Sequence, residues 1–177
     1  MQAACPPPGH PLATAMDGLY RACIWVAGTA IVLMSLIVPV GVVLRYVFGV
    51  GAQWPEPIAI LLMVVFTFLG AAVAYRAGGH IAVGMLTDHL PPKLQRPLAF
   101  AVHGLMVTVC GFVLVYGARL CVGTMGQSIA ELPWMPVGVT YLAIPLGALV
   151  TLLFVLEHMA WGSQKSRPVV SIGNEQG

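Results

Sequence analysis

The chain has 177 residues, 59% of them hydrophobic and 8% charged, with a formal net charge of +2. A soluble domain carries about 25% charged residues, and one this small has too much surface to hide so much apolar side chain. The composition therefore excludes a water-soluble globule, and so small a net charge gives no reason to expect a nucleic-acid partner.

In chain order, residues 1–15 read as a disordered arm. Prolines interrupt it before any apolar run, and it lacks the basic start of a secretory signal. Thr14 and Asp17, three residues apart, resemble a capping box that opens the first helix. Four stretches then contain no Asp, Glu, Lys or Arg: 22–44, 57–75, 97–118 and 132–156. Runs of about 20 apolar residues cross a bilayer as helices, because each backbone polar group must find its partner inside the segment. The expected fold is an all-α integral membrane protein: a four-helix membrane domain over 16–162 and a tail over 163–177.

Basic residues set the orientation. Arg21, Arg76, Lys93, Arg96, Lys165 and Arg167 flank one side of the spans; Arg45 and Arg119 flank the other. The excess marks the cytoplasmic side, so both termini are expected in the cytoplasm. Arg45, Trp54 and Glu56 then fall at the outer interface. Tyr46, Trp54 and Trp134 flank spans on that side and Trp161 on the inner side, as interfacial aromatics do.

Between spans two and three, Gly78–Gly79 and Pro91–Pro92 bound a polar interval. Within it, Ile81, Ala82, Met85, Leu86 and Leu90 share one side of a helical wheel, and a short interfacial helix is expected there. Pro39 and Pro145 should each kink a span. The pairs Gly70/Ala74 and Ala143/Gly147 would let helices approach closely.

Chemistry-bearing patterns are sparse. No Asp, Glu, Lys or Arg lies inside a span, where proton and ion pathways place ionisable groups. His103 is the one histidine within a span and reads as a helix-to-helix hydrogen bond. Cys5, Cys23, Cys110 and Cys121 form no C-x-x-C pair, and His80, Asp88 and His89 lack ligand spacing. No catalytic, substrate-binding or metal residue and no cofactor is expected, and the chain does not read as an enzyme. An autonomous small transporter or channel and a membrane anchor of an oxidoreductase remain as alternatives on composition alone.

The motifs resemble a known family. Arg45-Tyr46-x-Phe48 followed by Trp54-x-Glu56 resembles the signature joining the first two spans of the small membrane subunit of TRAP (tripartite ATP-independent periplasmic) transporters, DctQ-like. Gly70, Arg76, His80-Ile81 and Leu90-Pro91-Pro92 resemble the end of its second span and its cytoplasmic loop. Leu132-Pro133-Trp134 and Ile144-Pro145-Leu146-Gly147 resemble its last span, and the likeness runs from about residue 17 to 160. Pro57 stands where the family usually has a second acid, and Gly84 where an acid is common, so Glu56 must act alone. The resemblance implies a periplasmic binding protein that captures an organic acid such as a dicarboxylate, and a large membrane subunit that carries it with sodium. The small subunit braces the large one in the bacterial inner membrane. On this reading Arg45, Trp54, Glu56, Arg76, His80, Pro133, Pro145 and Gly147 serve subunit contact or structure.

Overall fold

The computed structural model describes residues 11–78 and 92–161. It contains α1 (Pro11–Tyr46), α2 (Pro55–Arg76), α3 (Pro92–Thr124), a hairpin of β1 (Ser128–Ile129) and β2 (Leu132–Pro136), α4 (Val137–Tyr141) and α5 (Ala143–Trp161). Four segments are long and apolar enough to cross a membrane, α4 and α5 together forming the fourth. The arm before Pro11, the tail after Trp161, and the expected interfacial helix with His80, Asp88 and His89 lie outside the described residues.

The helix ends follow from local chemistry. Pro55 opens α2 at a position that needs no N–H, and Glu56 follows in the first turn, where its charge meets the helix dipole. Gly78, at φ +81°, ends α2, its N–H bonding the Tyr75 carbonyl at 3.0 Å. Thr14 does not cap α1: the helix already runs from Pro11, so Thr14 and Asp17 both lie inside it.

The fourth span does not begin as helix at Leu132. Residues before proline are pushed out of the α region, and Pro133 and Pro136 hold 132–136 extended. The segment pairs back on β1, Ile129 opposite Leu132, and helix starts only at Val137. Pro145 cannot donate to Tyr141, and the helix is interrupted there by a turn at Leu142, whose N–H reaches Val139 at 3.2 Å. Pro39, by contrast, sits within an unbroken α1.

The helices pack in a row: α1 on α2, α2 on α5, α5 on α3. The buried positions of α1 (Ala13, Tyr20, Cys23, Ala27, Ala30) recur at helical spacing on one narrow face of mostly small residues. At the α2–α5 crossing Gly147 lets the helices approach closely, because a Cβ there would stand 2.5 Å from Phe68 Cβ and force a shift. Where the far end of α1 meets α2, a Cβ on Gly41 would stand 2.9 Å from Pro55 Cβ. The core sits at the opposite end, where Tyr20, Ala72 and Phe154 bring α1, α2 and α5 together. Elsewhere the outward faces carry large apolar side chains such as Trp25, Phe100 and Leu105. Lipid, rather than water, is the solvent for such a surface, and the chain is a multi-pass membrane protein.

Candidate functional site

Two clusters of polar side chains stand at opposite ends of the helices. The first lies where α1 begins and α2 and α5 end, called here the termini end. Arg76, in the last turn of α2, and Glu157, near the end of α5, are each 3% exposed. Arg76 Nε donates to Glu157 Oε2 at 2.7 Å and Nη2 to Glu157 Oε1 at 2.8 Å. Such a two-pronged pair is stronger and more directional than a single contact. Nη2 also donates to Asp17 Oδ1 on α1 at 2.7 Å.

One guanidinium thus ties three helices. Its carbon lies 5.2 Å from the ring centroids of both Tyr20 and Phe154, which meet each other edge to face. A cation placed against two aromatic faces gains from their negative quadrupoles, most of all away from water. Nη1 is buried without a hydrogen-bond partner among the described residues. The chemistry here is that of a lock. The charges are spent on one another, and a buried pair of this kind is destabilising to break.

The second cluster lies at the hairpin end, where α1 ends and α2 begins. Arg45 and Glu56 are both exposed and line one groove between α1 and α2, a cavity of about 370 Å³. The ion pairs among the described residues are those of Arg76, so Arg45 and Glu56 share the groove without touching. Glu56 also lines a neighbouring cavity of about 410 Å³, together with Glu131 and Tyr141. Trp54 precedes α2 and is partly exposed, and Trp134, beside Pro133 on β2, is 75% exposed.

His103 of α3 meets a second histidine, on another span. It stacks on His158 of α5, ring centroids 5.1 Å apart and planes 27° from parallel, and Tyr75 meets His158 edge-on. Cys23, Cys110 and Cys121 are free and buried, and Cys121 Sγ donates to the Gly138 carbonyl at 2.7 Å. Among the described residues no group of three metal-type side chains converges.

Of the residues singled out from sequence, Arg76 enters the lock, Gly147 and Pro145 shape the fourth span, and Arg45 and Glu56 share a groove. His80 lies outside the described residues. Glu157 and His158 escaped the sequence reading because they follow the charge-free run 132–156. Asp17 was visible, in the role of a cap.

A family model described as "Tripartite ATP-independent periplasmic transporters, DctQ component" matches residues 34–164. The chain belongs to this family. It is 32% identical over 124 residues to a Haemophilus influenzae protein assigned as a TRAP transporter small permease, covering 70% of this chain and 76% of that relative. It is 26% identical over 123 residues to the ectoine TRAP transporter small permease protein TeaB of Halomonas elongata, covering 68% of this chain and 63% of that relative. The sialic acid TRAP transporter permease protein SiaT of Haemophilus influenzae is 32% identical over 92 residues, which are 52% of this chain and 15% of that longer permease. As a DctQ component the chain has a part in TRAP transport and is a transporter subunit, not an enzyme.

Proposed function

We propose that this chain is the bracing subunit of a sodium-driven uptake system for organic acids. A periplasmic binding protein delivers the solute and a large membrane subunit carries it. The observation that supports this most is the lock: the charged side chains buried among the described residues, Arg76 and Glu157, bind each other. A group committed to a two-pronged internal pair is suited to holding helices at a fixed angle, not to passing an ion along.

The relatives support the same reading. A segment like this chain makes up a small part of one longer permease, as expected of a module that works against a larger transport body. Sialic acid and ectoine, named for two relatives, both carry a carboxylate, which favours carboxylate solutes, dicarboxylates among them. The distribution of basic residues favours cytoplasmic termini in the bacterial inner membrane. The lock then lies at the cytoplasmic end. At the periplasmic end Arg45, Trp54, Glu56 and Pro133 offer contacts to the large subunit.

The test is reconstitution of this chain with a large TRAP membrane subunit and a periplasmic binding protein from the same organism. Uptake of a carboxylate solute should require all three and a sodium gradient, with no flux through this chain alone. Solute flux in vesicles holding only this chain would overturn the bracing role.

A further inference from the structure

Arg45 and Glu56 raise a question that their shared groove answers. Opposite charges placed close together in a chain that is 8% charged would be expected to pair. They do not pair, although Gly41 and Pro55 hold the two helix ends together. Between them runs a groove walled by Val38, Gly41, Ala59, Ile60 and Met63. It descends along α1 from Arg45 to Met34, about 16 Å at the helical rise, from the span end toward the membrane interior.

We propose that this groove binds one phospholipid whose headgroup carries both a phosphate and a primary ammonium, as phosphatidylethanolamine does. The acyl chain lies in the apolar groove, Arg45 donates to the phosphate, and the ammonium donates to Glu56. Charge complementarity selects this occupant. A purely anionic headgroup would meet Arg45 but be repelled by Glu56. A choline headgroup has no N–H to give to the carboxylate. At about 370 Å³ the cavity falls in the size range of small-molecule sites. The bound lipid would bridge two charges that do not reach each other and fix the angle between α1 and α2 at their hairpin end. The proposal stands apart from the bracing role, since it needs only this chain in a bilayer.

The experiment is native mass spectrometry of the full chain purified in mild detergent and offered equimolar phosphatidylethanolamine, phosphatidylcholine and phosphatidylglycerol. The expected result is one retained phosphatidylethanolamine. Its preference over the other two should fall roughly tenfold in Glu56→Gln, the loss of one hydrogen bond to a charged group. Arg45→Gln should lower its retention by about as much without removing the preference, because all three lipids carry the phosphate that Arg45 meets. Ala59→Phe, which fills the groove and keeps both charges, should abolish retention, while Arg45→Lys should keep it. Circular dichroism confirms that each variant is folded. Equal retention of the three lipids, retention of none, or a preference unchanged in Glu56→Gln would each overturn the proposal.

Discussion

The two ends of the packed helices use the same residue types in opposite ways. At the termini end an arginine and two acids are within hydrogen-bonding distance, enclosed by Tyr20 and Phe154. At the hairpin end an arginine and an acid face a common groove, exposed and apart. Burial decides the difference. A buried charge must be matched inside the chain, so Arg76 acts on the fold itself. An exposed charge at a membrane interface costs little to leave open, so Arg45 and Glu56 are available to something outside the chain.

The largest effect should come from separating the buried pair. Arg76→Met leaves Glu157 buried and unmatched and should destabilise by about 3–5 kcal/mol, read from unfolding in mixed detergent micelles. Adding Glu157→Leu should restore most of that loss, because matched apolar side chains tolerate the site and the two effects are strongly coupled. If the double variant is no better than Arg76→Met, the pair is not the lock described here.

Gly147→Ala comes next. Its new Cβ would meet Phe68, including that residue's backbone carbon at 3.2 Å, and overpacking of this kind costs about 1–3 kcal/mol. Gly41→Ala should cost less, since the groove beside it leaves Pro55 room to shift. A Gly41 variant weaker than the Gly147 variant, measured in the same way, would show that the hairpin end is the tighter one.

The smallest effect on stability belongs to Arg45→Gln and Glu56→Gln, which should unfold like the parent chain. Each should nevertheless weaken co-purification with the large subunit, and the double change should cost less than the sum of the singles. Normal assembly by both single variants would reduce them to solvated flanking charges.

This contrast was only half legible in the sequence. The four spans were, because a charge-free run of about 20 residues has one viable form in lipid. The hairpin-end residues were also visible, since Arg45 and Glu56 stand in one short stretch between two apolar runs. The lock was not. Arg76 counted as one of several basic residues marking a side and, through the family motif, as a residue for subunit contact or structure, but its partner is 81 positions away, a pairing no spacing rule can supply. Glu157 lies one residue beyond its charge-free run, and Asp17 imitated a helix cap. The β-hairpin was hidden because 132–136 is apolar enough to read as span, although Pro133 and Pro136 forbid helix there.

The most direct test of whether the buried charges hold helices or carry ions is uptake by the assembled transporter with Asp17→Asn, Arg76→Met and Glu157→Leu combined. Transport is normalised to the amount of intact complex. With the lock replaced by apolar packing, uptake per complex should stay within a few-fold of the parent. A loss of a hundredfold or more in complexes that assemble normally would show that these charges belong to the transport path.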